Sequence, residues 1–193
     1  KLGIDNKYKN VLLSYGGSMG AEKVNEAVFA LMKDYSSKHP ETLHIHATGS
    51  IEWEIAKRQY AEMGLDKCEN LQLVEYIYDM PVKMAASDLI ICRAGALTIS
   101  ELAISGKCPI FIPSPNVTEN HQYKNAMALV NEGAAVCVEE HTLPEGTLTE
   151  RVCSLLADPS ACADMGERIR KRFACPDANE RIYESLMGVI KSC

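Results

Sequence analysis

The chain has 193 residues, of which 47% are hydrophobic, so it is long enough to bury a substantial core as one domain. Its formal net charge of −6 argues against a nucleic-acid partner, because a polyanion requires a basic face. There is no signal peptide and no apolar run near the ~18 residues that cross a bilayer, so any membrane contact is predicted to be peripheral.

The eight cysteines stand at positions 68, 92, 108, 137, 153, 162, 175 and 193. None forms a CxxC pair or has a histidine at metal-site spacing, which argues against a zinc or haem site. Free cysteines in apolar stretches are typical of proteins in a reducing cytosol. The sequence therefore predicts a cytoplasmic protein that uses no metal or other cofactor.

The chain begins at Lys1 and enters its first predicted strand at Val11. We interpret residues 1–10 as a linker or cut point and residues 11–193 as one compact domain. This domain is predicted to be excised from, or paired with, something larger.

The first strand, Val11–Tyr15, leads through a glycine-rich turn into a helix over Ala21–Lys38 with apolar residues at helical spacing. A strand, a glycine-rich turn and a helix bring backbone N–H groups close to a phosphate. The turn matches neither the Walker sequence nor GxGxxG, so nucleotide hydrolysis and dinucleotide binding gain no support. A helix N-cap is the alternative role for Ser18. The candidate ligand residues of this turn are Gly16, Gly17, Ser18 and Gly20.

The second and third strands are predicted over Leu43–Ala47 and Leu71–Val74, with a helix over Ile51–Met63 between them. His44 and His46 alternate on one face of the second strand. A metal site would need further ligands that the sequence does not offer, so we predict structural roles for both histidines.

The third strand ends close to Tyr76 and Ile77, before a short helix over Met80–Ala86. An aromatic and an apolar residue at a strand end suit a nucleobase. For Tyr76 an ordinary core position is the alternative.

The fourth strand, Asp88–Cys92, turns tightly through Arg93, Gly95 and Ala96 into a helix from Leu97. A helix start offers free N–H groups and the positive end of a dipole, which suits a diphosphate. One turn later Glu101 is placed to accept hydrogen bonds from sugar hydroxyls, with ribose as the obvious candidate. The alternatives are turn geometry for Gly95 and a solvated charge favoured by the dipole for Glu101.

The fifth strand is predicted over Ile110–Pro113 and is followed by a polar loop that leads into a helix over Gln122–Asn131. Asn120, His121 and Gln122 present hydrogen-bonding groups that suit a sugar, with plain turn and capping chemistry as the alternative. Val136–Val138 is predicted as the sixth strand. The remaining helices are predicted over Glu145–Leu156, Pro159–Phe173 and Ala178–Lys191.

Alternating strands and helices predict an α/β fold: a doubly wound, parallel, six-stranded Rossmann-like sheet with helices on both faces. In the common strand order 3-2-1-4-5-6, strands one and four are neighbours where the winding reverses, and ligands bind outside their carboxyl ends. The turns after Tyr15 and Cys92 would then meet in one crevice. We predict a diphosphate site there.

The sequences GGSMGAEKVNEAV, YIYDM, ICRAGALTISELAISGKCPIFIPSPNVTENHQYKNA and PDANERI resemble the carboxyl-terminal half of the MurG family of N-acetylglucosaminyltransferases. The resemblance covers essentially all of the chain from Val11 onward. Members of this family are two-domain, GT-B type glycosyltransferases with facing Rossmann-like halves, and the second half binds UDP-N-acetylglucosamine. The resemblance therefore implies UDP-N-acetylglucosamine or UDP as the ligand of this chain.

The resemblance also assigns roles to single residues. It implies that Ser18 and its flanking glycines contact the diphosphate, that the backbone of Ile77 bonds uracil with Tyr76 nearby, and that Glu101 holds the ribose. The sugar is expected to contact Asn120, His121 and Gln122. The helix start completes the predicted site with Arg93, Gly95, Ala96, Leu97 and Thr98.

Three positions depart from the family pattern. Relatives often have Ser where Ala94 stands, and Gln where Met19 and His121 stand. These departures bear on hydrogen bonding near the turns and on recognition of the sugar.

The activity implied by the resemblance is inverting transfer of N-acetylglucosamine to lipid I, which forms lipid II in peptidoglycan synthesis. The catalytic residues, lipid I binding and most membrane contact are expected in an amino-terminal half that this chain lacks, at the inner face of the plasma membrane. The terminal helix over residues 178–191 packs either on this domain or on that missing half. The sequence has no DxD motif, so no metal is predicted.

Two alternatives remain. One is a sugar-nucleotide-binding subunit that requires a partner chain for activity. The other is an epimerase acting on the same nucleotide sugar, which is disfavoured because Glu119 and His121 are nearly the only acid and base groups near the expected sugar.

Overall fold

The structure is a computed structural model that describes residues 7–192. The predicted linker lies mostly outside this range, as does Cys193. Within the described residues, six parallel strands form one sheet in the order β3-β2-β1-β4-β5-β6. This is the predicted doubly wound order, and it is confirmed. The strands are β1 Asn10–Tyr15, β2 Thr42–Ala47, β3 Leu71–Val74, β4 Leu89–Cys92, β5 Cys108–Phe111 and β6 Val136–Cys137.

Helices connect the strands and cover both faces of the sheet. No helix among residues 7–192 combines the length and apolar character that crossing a bilayer requires. The α-helices are α1 Glu22–Asp34, α2 Trp53–Glu62, α3 Met80–Ala86, α4 Ala96–Ser105, α5 His121–Val130, α6 Thr147–Ala157, α7 Pro159–Phe173 and α8 Ala178–Ser192.

Two element boundaries differ from the sequence prediction for identifiable reasons. The helix predicted over Ala21–Lys38 ends at Asp34, because Ser36–Lys38 forms a separate 3₁₀ turn. Strand β5 begins at Cys108, ahead of Pro109, although proline removes a ladder donor. Proline is tolerated there because β6 is short and pairs only with the two residues that follow Pro109.

The core lies in two clusters, one on each face of the sheet. Because successive strand residues point to opposite faces, Leu12 and Ile91 contribute to one cluster and Leu13 and Ile90 to the other. All four side chains are completely buried. Strands buried on both faces read as continuous apolar runs, which is why β1 and β4 were recognisable in the sequence.

His44 and His46 are completely buried, and both ring systems lie 2.9 Å from the hydroxyl of Ser14. No cluster of three or more potential metal-binding side chains occurs in the described part of the chain. The predicted structural role of both histidines is confirmed.

Candidate functional site

The carboxyl ends of β1 and β4 lie side by side at the centre of the sheet. Tyr15 and Cys92, the last residues of these strands, are register partners. The turn Gly16–Gly20 and the turn Arg93–Gly95 therefore leave the same edge from adjacent positions. In doubly wound sheets this is the point at which ligands bind.

The turn Gly16–Gly20 needs glycine for its backbone conformation at two positions. Gly17 has φ 109° and Gly20 has φ 95°, and the Gly20 N–H donates to the Gly17 carbonyl at 3.1 Å. The N-cap of α1 is Ala21, and no side chain caps that helix, so the alternative role of Ser18 as an N-cap is wrong. Ser18 is exposed at the tip of the turn.

The start of α4 is open. Gly95 is its N-cap with φ −71°, no side chain caps the helix, and the Leu97 side chain is 82% exposed. A Cβ built on Gly95 would meet only Thr98 Oγ1, at 3.8 Å. Neither backbone strain nor crowding within the described chain requires glycine there, so turn geometry does not explain Gly95. The absence of a side chain leaves the first N–H groups of α4 accessible to an anion.

Glu101 is exposed and lies close to the ends of β1 and β4. Burial raises the pKa of the Cys92 thiol to about 12, and the negative charge of Glu101 adds to that increase. Burial also raises the pKa of Tyr15, again with a contribution from Glu101. The Glu101 carboxylate is therefore near the last residue of both strands.

The segment after β3 offers aromatic surface and backbone groups. Ile77 is buried in the core, and the contact of its backbone with uracil stays a prediction. Tyr76 is 49% exposed and packs edge-on against Tyr78, with ring centroids 5.1 Å apart. The alternative that Tyr76 is an ordinary core residue is therefore wrong.

The loop between β5 and α5 holds an unusual backbone conformation. Glu119 and Asn120 have φ 55° and 52°, a left-handed conformation that non-glycine residues rarely adopt. Gln122 Oε1 accepts from the Ser114 N–H at 3.0 Å, and His121 Nδ1 lies 3.0 Å from the Thr118 carbonyl. These bonds hold the His121 ring and the Gln122 amide in place within the loop. Asn120 and His121 remain exposed.

Arg93 differs from the prediction that it contributes directly to ligand binding. Its guanidinium donates to the Ile112 carbonyl at 3.0 Å and lies 2.6 Å from the Glu140 carboxylate. Both charged side chains are largely buried, at 15% and 17% exposure. The charge of Arg93 is thus neutralised inside the protein, and its role is to brace the turn after β4 against the segment after β6.

This pair predicts a measurable coupling. In a double-mutant cycle of Arg93→Met and Glu140→Gln, each single change is expected to lower the free energy of unfolding by about 1.5 kcal/mol, with a coupling of about 1 kcal/mol. The reason is that each change leaves a largely buried polar group without its partner. Urea unfolding measures these terms.

The exposed pair Arg172–Glu132, whose charged atoms also lie 2.6 Å apart, is the matched control and is expected to show a coupling near zero. Equal coupling in both pairs would contradict the bracing role of Arg93.

Several residues that support the site were not predicted from the sequence. Asn125 donates to the Ala94 carbonyl at 3.2 Å and holds the turn after β4 onto α5. The Ala94 side chain is completely buried, so its departure from the family pattern concerns packing. Asn25 is a polar residue on the buried face of α1, and that position in an apolar helical pattern was the signal that would have identified it.

A cavity of about 630 Å³ lies between α1, the β5–α5 loop and the segment after β6. Of the residues predicted to bind the ligand, only Asn120 lines it. Ser18 and Glu101 are exposed and Thr98 is half-buried, and none of the three lines that cavity.

Comparisons with known proteins identify the family and the fold of the chain. Residues 11–182 match the family model described as glycosyltransferase family 28 C-terminal domain. The chain is 40% identical over 192 residues to the UDP-N-acetylglucosamine–N-acetylmuramyl-(pentapeptide) pyrophosphoryl-undecaprenol N-acetylglucosamine transferase of Acetivibrio thermocellus. This match covers 100% of the chain and 50% of the relative, so the chain spans about half the length of that relative.

Among solved structures, the fold is similar to that of Acinetobacter baumannii MurG, with a TM-score of 0.78 and 28% identity over 96% of this chain and 54% of that one. It is also similar to a UDP-GlcNAc 2-epimerase from Neisseria meningitidis, with a TM-score of 0.65 and 19% identity over 96% of this chain and 45% of that one. The second likeness concerns the fold alone. The architecture alone therefore does not distinguish a transferase from an epimerase.

Proposed function

Because the chain belongs to the glycosyltransferase family 28 C-terminal domain family, we propose that it is the donor-binding half of an N-acetylglucosaminyltransferase. The donor is UDP-N-acetylglucosamine, and the acceptor is the muramyl sugar of lipid I, so that the product is lipid II. One observation carries the proposal: the turns after Tyr15 and Cys92 leave adjacent strand ends, at the edge where doubly wound sheets bind their ligands.

In this proposal the diphosphate lies between the two turns. Ser18 and the glycines at 16, 17 and 20 supply a hydroxyl and close backbone approach from one side. The uncapped start of α4, with Gly95, Ala96 and Thr98, supplies N–H groups and the positive end of the helix dipole from the other. Leu97, which is 82% exposed, covers the nucleoside.

The uridine occupies the side of the crevice next to β3. Uracil bonds the backbone of Ile77 beside the exposed ring of Tyr76, and the ribose hydroxyls donate to the Glu101 carboxylate. The N-acetylglucosamine unit reaches the β5–α5 loop, where Asn120, His121 and Gln122 contact it. Two left-handed residues within that loop support a role in ligand binding, because such strain concentrates at functional sites.

Transfer leaves negative charge on the departing UDP. Backbone N–H groups and the α4 dipole, fixed before the reaction begins, stabilise that charge. The general base, the lipid I site and most membrane contact belong to an amino-terminal half outside this chain, which places the whole enzyme at the inner face of the plasma membrane. An open crevice with one wall is consistent with a second wall from the facing half.

We propose that α8 packs against that missing half. Ile182, Tyr183, Leu186 and Ile190 form one face of the helix and are each 58–65% exposed. An apolar helical stripe left in water indicates a packing partner.

Calorimetric titration of the chain tests the donor assignment. UDP and UDP-N-acetylglucosamine are expected to bind weakly, with dissociation constants of roughly 10–1,000 μM because one wall is absent, and UDP-glucose and UDP-N-acetylgalactosamine more weakly still. No transfer to a lipid I analogue is expected from the chain alone. Transfer without added protein would contradict the assignment of catalysis to the other half, and failure to bind any uridine nucleotide would contradict the proposal itself.

A further inference from the structure

A series of buried polar side chains connects β1, β2 and α1 to the loop after β2. His46 Nε2 lies 3.1 Å from Asn25 Oδ1, and Asn25 Nδ2 donates to the Thr48 carbonyl at 3.2 Å. On the other side of the ring, His46 Nδ1 lies 2.9 Å from Ser14 Oγ. These four residues are at most 3% exposed, so bulk water does not complete their hydrogen bonds.

The series continues away from the loop through the second histidine. Ser14 Oγ also lies 2.9 Å from His44 Nε2, and His44 Nδ1 lies 3.0 Å from Ser36 Oγ. Ser36 belongs to the 3₁₀ turn after α1 and is completely buried. The series therefore runs from Ser36 at one end to Thr48 at the other.

The Thr48 carbonyl fixes the direction of the hydrogen bonds. A carbonyl only accepts, so the Asn25 amide presents Nδ2 to it and Oδ1 to His46. Because Oδ1 also only accepts, His46 carries its proton on Nε2. Its Nδ1 lies 2.9 Å from the Ser14 hydroxyl oxygen and 3.1 Å from the Ser14 carbonyl oxygen, so the proton on Nε2 is the one that the geometry assigns.

The second histidine lies between two hydroxyl groups. His44 Nε2 is 2.9 Å from Ser14 Oγ and His44 Nδ1 is 3.0 Å from Ser36 Oγ, and each hydroxyl can donate or accept. Burial lowers the pKa of His44 to about 3 and that of His46 to about 4, which agrees with neutral rings at pH 7.

Thr48, at one end of the series, contacts the turn Gly16–Gly20, which binds the diphosphate in the proposed function. A Cβ on Gly20 would lie 2.3 Å from the Thr48 carbonyl oxygen, and a Cβ on Gly49 would lie 2.0 Å from the Gly20 nitrogen. Only glycine at both positions allows these backbones to approach so closely. The loop after β2 thus lies directly against the turn Gly16–Gly20.

Backbone hydrogen bonds join the two segments. The Ser50 N–H donates to the Ser18 carbonyl at 3.1 Å, and the Ile51 N–H donates to the Met19 carbonyl at 3.2 Å. Any displacement of the loop after β2 therefore moves Ser18 and Met19 with it.

We propose that His46 and Asn25 are positioning residues for donor binding: through the Thr48 carbonyl they hold the loop after β2 in the position that shapes the turn Gly16–Gly20. The binding aspect of this inference rests on the proposed function. Neither side chain contacts the ligand, since both are buried beneath the turn.

A matched pair of variants at one position tests the inference. His46→Leu removes the donor to Asn25, whereas His46→Gln replaces it, because the Gln amide nitrogen occupies the place of Nε2. Ser36→Ala breaks the same series at its far end, away from the loop. Circular dichroism at 15 °C is used to check that each variant is folded. UDP affinity is then measured by calorimetry at the same temperature.

We expect His46→Leu to weaken UDP binding about tenfold, because it removes the hydrogen bond that holds Asn25 against the Thr48 carbonyl. The UDP affinities of His46→Gln and Ser36→Ala should stay within about twofold of that of the parent, because both variants keep this bond. Equal affinity in all variants, or an equal loss in Ser36→Ala, would overturn the inference. The second outcome would mean that the series contributes only general stability.

Two measurements do not depend on UDP. Amide hydrogen exchange at Ser50 and Ile51 is expected to be at least about tenfold faster in His46→Leu and unchanged in Ser36→Ala. Nitrogen-15 NMR of the parent is expected to show His46 protonated at Nε2; a proton on Nδ1 alone overturns the inference even if His46→Leu does not fold. If the parent fails to bind UDP, the proposed function fails, while exchange still decides whether His46 holds the turn.

Discussion

Replacing Glu101 by alanine is expected to weaken the affinity of the chain for UDP about 100-fold, because two charge-assisted hydrogen bonds to ribose are lost. The Glu101 carboxylate is exposed and lies near the last residues of β1 and β4, so it is available to a ligand at these strand ends. Stability should change little, since within residues 7–192 the Glu101 side chain has no buried partner that the alanine variant would leave unpaired. Calorimetric titration with UDP measures the loss.

A ligand change provides the internal control for Glu101. The parent is expected to bind 2′-deoxyuridine diphosphate about tenfold more weakly than UDP, whereas Glu101→Ala should bind both equally. Glu22→Ala, a carboxylate at the start of α1, is the matched protein control and should bind UDP with affinity close to that of the parent. If the losses of affinity from Glu101→Ala and from removal of the 2′-hydroxyl were additive, Glu101 would act through its charge alone and would not bond the ribose.

The strand order was predictable because it depends on local patterns. Buried strands such as β1 and β4 are continuous apolar runs, and each is followed by a glycine-containing turn and an amphipathic helix. Alternation of these units leaves few topologies, and right-handed crossovers select among them. The location of the crevice followed from this order, since Tyr15 and Cys92 are the last residues of neighbouring strands.

The partners of buried polar groups were not predictable in the same way. Arg93 pairs with Glu140, and His46 bonds Asn25, across sequence separations that no local pattern encodes. Arg93 in a turn beside a helix start has the same local sequence context whether it binds a phosphate or braces a segment. Only the three-dimensional arrangement shows that its charge is already neutralised.

The same limitation applies to the glycines. Gly20 and Gly95 both belong to strand-to-helix turns and were predicted to bind the ligand for the same reason. The structure separates them, because Gly20 has a left-handed backbone and a neighbour at 2.3 Å from its missing Cβ, whereas Gly95 has neither. A glycine that the fold itself does not require is the stronger indication of a ligand.

Lowering the pH from 7.5 to 5 is expected to reduce the free energy of unfolding by roughly 4 kcal/mol, because His44 and His46 must stay neutral in the folded chain. Burial lowers their pKa values from the ordinary 6.5 to about 3 and about 4. Between pH 6.5 and these values the unfolded chain binds more protons than the folded chain. The stability is therefore fully present above pH 6.5 and is lost as the pH falls. Urea unfolding at half-unit intervals of pH measures the slope.

Comparison with His46→Gln isolates one histidine from the other titrating groups. The carboxyl groups of Glu41, Glu167 and Asp177, whose pKa values are lowered mainly by hydrogen bonds, are present in both proteins and contribute equally to both slopes. Near pH 5 the parent should show a slope of roughly 2.7 kcal/mol per pH unit, the value for two protons, and His46→Gln about half of it. If the free energy of unfolding of the parent were constant between pH 7.5 and 5, the histidine rings would accept protons within the folded chain. The hydrogen bonds from Ser36 to Thr48 would then not require neutral histidines.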